Sequence, residues 1–241
     1  MEILRLETTD STNSWIGRNE KDLSPTMLVY TMEQTAGRGQ RGNTWESQPG
    51  KNITASLLFH PENFPAYRQF EISEAIALAI CEFLKELELN VKIKWPNDIY
   101  VDDKKICGIL VEHVVTGKNI TRTIAGFGIN INQEKFTSEA PNPVSVCQLV
   151  GKEYDIDESV TKLAGYLHKN LQRLESEENF HSEFLDSLWR RDGNFYKFRI
   201  REGERMIDAQ IDTVANDGTL HLIDRGGKRY QFAFKEIEFL L

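Results

Sequence analysis

Residues 1–7 alternate apolar and polar side chains, the period-2 pattern of a strand with one buried face. Asp10-Ser11-Thr12 then offers N-cap oxygens, and a short helix through Asn19 is expected. The run 27–32 (MLVYTM) reads as a buried strand, and Ile53–Phe59 as another. Residues 34–50 lie between them, glycine-rich, charged and without a period, and predict a long loop. The clearest helix is 71–89, where Ile72, Ala75, Ile76, Ala79, Ile80, Phe83, Leu84 and Leu87 form one apolar stripe.

Val91–Lys94 predicts a strand running into a Trp-Pro-Asn-Asp turn. Residues 99–101 and 105–115 read as paired strands, and 120–131 as a further strand after the turn Thr116-Gly117-Lys118-Asn119. Residues 133–143 are polar and contain proline, so a loop is expected. Val160, Leu163, Ala164, Leu167, Leu171 and Leu174 mark a second helix; Phe180, Phe184, Leu185 and Leu188 mark a third. After Arg191-Asp192-Gly193 the texture changes to short strands at 195–200, 206–214, 219–223 and 229–234. Asn216-Asp217-Gly218 and Arg225-Gly226-Gly227 are hairpin turn signals between them. Short strands at this density, within roughly fifty residues, predict a small β-barrel. The expected class is therefore α+β, with a boundary near Trp189 dividing residues 1–188 from 189–241.

Composition narrows the function classes. The chain has 241 residues and a net charge of -8, and its pI is about 5.3. Nucleic-acid binding, which calls for a basic face, is not expected. Cys81, Cys107 and Cys147 are odd in number with no Cys-x-x-Cys pair, which predicts reduced, mostly buried thiols. The histidines lack metal-ligand spacing. No stretch has the roughly 18 apolar residues of a membrane span, and the N-terminus carries charges where a signal peptide would be apolar. A cytoplasmic location is expected, with no membrane partner.

Three stretches carry candidate chemistry. In Gln34-Thr35-Ala36-Gly37-Arg38-Gly39-Gln40-Arg41-Gly42-Asn43-Thr44-Trp45, the glycines let backbone N–H groups approach an anion, and two arginines add charge. The same composition also suits a solvated surface loop, and the spacing is not that of a P-loop. In the second stretch, Lys94-Trp95-Pro96-Asn97-Asp98 is followed by Lys105, which opens the apolar run Ile106-Cys107-Gly108-Ile109-Leu110. A lysine there needs a partner or a path to solvent. In the third, Gly126-Phe127-Gly128-Ile129-Asn130, glycines inside a strand mark close approach, either of a flat ligand or of tight packing.

Together with Ser11-Thr12-Asn13, these stretches resemble the catalytic core of the biotin–protein ligase family, from Thr9 to about Gly151. The resemblance implies a class II synthetase-like biotin/lipoate ligase domain followed by an SH3-like barrel. It implies biotin and ATP as substrates, with Mg2+, and biotinyl-5'-AMP as the intermediate. A lysine of a biotin-carrier domain of a carboxylase is the implied acceptor.

Residue by residue, the resemblance implies that Ser11, Thr12, Asn13 and Gln34 bind the ureido end of biotin. Gly37, Arg38, Gly39, Gln40, Lys105 and Gly108 complete the biotin site. Arg38 and Lys105 would clamp the acid carboxylate beside the α-phosphate. Arg41, Trp45, Asn97, Gly126, Gly128 and Asn130 would serve ATP and the adenylate, with Trp45 against adenine and Asn130 on its edge. Asp98 is the candidate base for the incoming lysine. Residues 37–42 and 133–143 would act as lids.

Two departures stand out. Gln40 sits where the family often has arginine, so a cation near the adenylate phosphate is missing unless Arg41 replaces it. The resemblance also begins at once, leaving no room for the helix-turn-helix domain of some members. Competing readings are a lipoate or octanoate ligase of the same fold and a non-catalytic biotin-binding regulator. Exposed edge strands leave a homodimer open.

Overall fold

The computed structural model describes residues 1–137 and 142–240, and only the backbone of Arg41. Its larger sheet has eight strands: β1 (Glu2–Thr9), β2 (Thr26–Gln34), β3 (Ile53–Phe59), β4 (Phe64–Pro65), β5 (Val91–Lys94), β6 (Asp98–Val101), β7 (Lys104–Thr116) and β8 (Asn119–Ile129). They run in the order β1-β2-β3-β8-β7-β6-β5, with the short β4 also paired to β8. Only β1 and β2 pair in parallel.

Side chains alternate between the two faces of such a sheet. Leu28, Tyr30, Ala55, Leu57, Ala125 and Phe127 point into the large core. There α2 (Gln69–Glu86) packs on α4 (Ile156–Glu175). Met27, Val29, Leu58 and Ile124 face the other way and meet Ile16 of α1 (Thr12–Asn19). Both faces are covered, which explains why β2 and β3 read as near-continuous apolar runs rather than as alternation. α1 covers only part of its face, and the remainder is open to ligand.

Ser11 occupies the α1 N-cap position, but its side chain makes no capping bond, contrary to the N-cap expectation. Asp10 accepts from the Ser11 backbone N–H at 2.8 Å and pairs with Arg18, and Ser11 lines the open face. The periodicity misses α3 (Val146–Val150), which is too short to show a repeat. Its signal is the capping box of Ser145 and Gln148, closed by Gly151 in the left-handed region. α5 (His181–Asp186) completes the helices.

The C-terminal strands are β9 (Tyr196–Ile200), β10 (Arg205–Val214), β11 (Leu220–Asp224), β12 (Arg229–Phe232) and β13 (Ile237–Phe239). They form an antiparallel sheet in the order β12-β11-β10-β9-β13. This corrects the barrel expectation: the sheet is open, with β12 and β13 at its edges. Closure is unnecessary because the main body covers the apolar face. Phe239 packs near Trp189 and Trp95, Phe234 packs on Trp95, and the Trp95 indole N–H donates to Gly218 O at 2.9 Å. Cys81, Cys107 and Cys147 are free and buried. Among the described residues no helix is long and apolar enough to cross a membrane.

Candidate active site

The open face beside α1 forms a cleft of about 610 Å³. At one end α1 supplies a polar row. The Thr12 backbone N–H donates to Gln34 Oε1 at 3.0 Å, tying the start of the helix to β2. Thr12 Oγ1 lies 2.6 Å from Ser56 Oγ, and Ser56 donates to Asn13 Oδ1 at 2.5 Å. Asn13 Nδ2 in turn donates to Glu112 Oε2 at 2.8 Å. Asn13 fits against β8 only because Gly126 has no side chain; a Cβ there would collide with the Asn13 amide. Thr12 and Asn13, the first two residues of α1, are thus oriented by partners on β2, β3 and β7.

The loop after β2 is more ordered than the expected irregular segment. Gly39 N–H donates to Asn43 O at 2.8 Å and Trp45 N–H to Gly37 O at 3.0 Å, so the loop folds back on itself. Gly37 permits this, since a Cβ there would strike the Trp45 carbonyl. The fold-back presents Arg38, whose Nη2 lies 2.7 Å from Glu112 Oε1. Gln40 lies in a one-turn helix and also lines the cleft. Glu46 accepts from Gln133 Nε2 and the Thr137 N–H, each at 3.0 Å, which ties this loop to the segment after β8.

Lys105 answers the question posed by its apolar neighbours: its Nζ lies 2.7 Å from Asp98 Oδ1. β6 and β7 place them, with Asp98 paired opposite Gly108. The Asn97 side chain donates to Ile109 O and latches the turn after the cis Trp95–Pro96 bond onto β7. Lys94 stands opposite Asp98, donates to Tyr100 OH at 3.0 Å and lies over the Tyr100 ring. Burial pushes the Lys94 ammonium pKa down, against the opposing pull of Asp98. Burial, reinforced by Asp98, pushes the Tyr100 hydroxyl up.

The cleft floor is bare backbone. Gly108 and Gly128 pair across β7 and β8, and the Trp45 indole lies over both. Lys105 Nζ is 5.6 Å from the centroid of that ring. Asn130 is buried and donates from Nδ2 to Val144 O at 3.0 Å. Its Oδ1 and the Trp45 Nε1 are buried with no partner among the described residues. An unpaired buried polar atom costs about 1–3 kcal/mol, so an acceptor left open here is an atom suited to a ligand donor.

Of the residues singled out from the sequence, Ser11, Thr12, Asn13, Gln34, Arg38, Gly39, Gln40, Trp45, Asn97, Asp98, Lys105, Gly108, Gly126, Gly128 and Asn130 all line this one cleft. Gly37 lies behind the lining and shapes the loop. The Arg41 side chain and part of the 133–143 segment lie outside the described residues. Sequence reasoning missed Glu112, Ser56 and Tyr100, and gave no role to Lys94 although it opens the second stretch. A signal existed for two of them. Glu112 follows Gly108 and Leu110 at period 2 on one strand face, and Ser56 is a hydroxyl within the apolar run of β3.

Comparison with known proteins gives the family. Residues 5–130 match the family model described as the biotin/lipoate A/B protein ligase family. The bifunctional ligase/repressor BirA of Salmonella typhimurium is 31% identical over 225 residues, covering 92% of this chain and 65% of the relative. The biotin–[acetyl-CoA-carboxylase] ligase of Paracoccus denitrificans is 32% identical over 166 residues, covering 66% of this chain and 68% of the relative. The chain spans only 40% of the Bacillus subtilis BirA that it also matches. A solved structure of the Aquifex aeolicus biotin protein ligase, in complex with biotin and ATP, superimposes with a TM-score of 0.80 at 25% identity, covering 98% of this chain and 97% of that one. With more than half of its length matched by the family model, the chain belongs to the biotin/lipoate A/B protein ligase family.

Proposed function

We propose that this protein activates biotin with ATP and transfers it to one lysine of a biotin-carrier domain. The observation that carries this reading is a single cleft holding a polar row, the cations Arg38 and Lys105 and a glycine floor. A ureido ring needs donors and acceptors that the chain of a fatty acid lacks. The row Ser11, Thr12 and Asn13 therefore favours biotin over lipoate or octanoate.

In the first step a carboxylate oxygen of biotin attacks the α-phosphorus of ATP. The bond to the bridging oxygen breaks, and pyrophosphate leaves with its electron pair. Two anions must be held in contact, and Arg38 and Lys105 offset the repulsion, Lys105 by turning from Asp98 to the incoming oxygens. Adenine stacks against Trp45, whose indole rests on the floor of Gly108 and Gly128. The Asn130 Oδ1 accepts from its exocyclic amine. Magnesium accompanies the ATP phosphates; among the described residues no group of three or more His, Cys, Asp or Glu is placed to hold an ion.

In the second step the neutral acceptor amine attacks the acyl carbon of biotinyl-5'-AMP. The acyl–phosphate bond breaks, AMP leaves, and the amine loses a proton. Asp98, once Lys105 has turned to phosphate, is the base within the cleft. The loop around Arg38 and the segment after β8, joined through Glu46, shield the anhydride from water.

Intact mass of a biotin-carrier domain tests this, after incubation with the protein, ATP and magnesium, with biotin and lipoate in separate tubes. The expected result is a gain of one biotin that requires ATP and disappears in Lys105→Ala. A gain only on a lipoyl domain with lipoate would move the substrate. Biotin binding without any transfer would favour a regulator.

A further inference from the structure

Glu112 has no part in the chemistry described so far, yet it joins both halves of the site. It stands on β7, on the face shared with Gly108 and Leu110. Oε1 accepts from Arg38 Nη2 at 2.7 Å, and Oε2 accepts from Asn13 Nδ2 at 2.8 Å and from Arg38 Nη1 at 3.4 Å. Its carboxylate therefore closes a continuous chain of hydrogen bonds from Gln34 through Thr12, Ser56 and Asn13 to Arg38.

Two consequences follow from donor and acceptor chemistry alone. A carboxylate only accepts, so the Asn13 amide must turn its NH2 toward Glu112. Oδ1 then accepts from the Ser56 hydroxyl, and its second lone pair is left for a ligand N–H. The second consequence concerns Arg38. It projects from a loop with no element of its own to hold it, and the two oxygens of Glu112 fix the plane of its guanidinium.

We infer that Glu112 is a positioning residue: it orients Asn13 for the acid's ureido N–H and Arg38 for the acid's carboxylate. This rests on the proposed biotin reading and adds to it a residue that acts through two others. A glutamine in its place keeps one accepting oxygen but presents an NH2 on the other side. It can hold Asn13 or Arg38 correctly, not both.

The test measures biotin affinity by calorimetry without ATP and pyrophosphate release in a single turnover, for native protein, Glu112→Ala, Glu112→Gln, Asn13→Ala and the double variant Glu112→Ala/Asn13→Ala. Glu112 is half-exposed, so its variants are expected to keep the native thermal midpoint. Glu112→Ala should weaken biotin by at least about tenfold, the scale of one charge-assisted hydrogen bond. Adding Asn13→Ala should cause little further loss, and Glu112→Gln should fall between native and alanine. The role is overturned by native biotin affinity and native pyrophosphate release in Glu112→Ala. Losses that simply multiply in the double variant also overturn it. A native protein that binds no biotin would instead overturn the parent reading, and this role with it.

Discussion

The Trp45 indole rests on the bare backbone of Gly128, where any Cβ would collide with the ring. The partner glycine across the strand pair, Gly108, is nearly as close: a Cβ there would stand 2.9 Å from Trp45 Cζ3. Gly128→Ala should therefore drive the indole off the floor. The expected effects are a red shift of tryptophan emission, a stability loss of about 1–3 kcal/mol from overpacking, and a raised KM for ATP. Native emission together with a native thermal midpoint would mean that the ring yields at no cost.

Among the described residues the Arg38 guanidinium is held by side chains, chiefly Glu112, and Arg38 lines the cleft beside the polar row. Arg38→Ala should slow adenylate formation by a factor on the order of 10²–10³ or more, as loss of a charge-stabilising donor does. Pyrophosphate release during a single turnover reads this directly. Release at the native rate would remove Arg38 from the clamp.

Asp98 has two possible duties, because its carboxylate holds Lys105 at 2.7 Å and also faces the cleft. If it is the base for the acceptor amine, Asp98→Ala should spare adenylate formation relative to transfer. Separate timing of pyrophosphate release and carrier biotinylation measures the split. Equal losses in the two steps would assign Asp98 to placing Lys105 or the nucleotide.

Gln40 lines the cleft in a turn where the resemblance calls for a second arginine. Gln40→Arg should slow the release of biotinyl-5'-AMP by restoring a cation beside its phosphate. A chase of pre-formed adenylate gives the off-rate in both proteins. An unchanged rate would show that the native cleft already retains its intermediate.

His113 follows Glu112 on β7, half-buried, with Nδ1 at 2.9 Å from Thr123 Oγ1. Burial lowers its pKa below the usual histidine value. The folded state therefore binds fewer protons than the unfolded chain between that lowered value and about 6.5. His113 imposes no penalty above that window, and stability falls as pH drops through it. His113→Gln should lose less of its thermal midpoint than native protein between about pH 7 and pH 5. Parallel losses would place the acid sensitivity elsewhere.

The linear order of residues was enough to find most elements, because apolar repeats report directly on buried faces. The stripe from Ile72 to Leu87 could only be a helix with one face in a core, and it is α2. The motifs were legible for a similar reason: glycines inside the strand β8 and a lysine opening an apolar strand are local oddities that burial makes costly. Sequence also identified the residues that the fold gathers into one cleft. It could not show how they are paired. That Arg38 meets Glu112, Lys105 meets Asp98 and Asn13 meets Ser56 depends on the register of β3, β7 and β8. Strand register is set by the packing of distant segments. The same limit explains the C-terminal sheet. Four of the five short strands were readable from their turns, β13 was not, and the lack of closure was decided by Trp95 and its neighbours, which bury the sheet's apolar face against the main body.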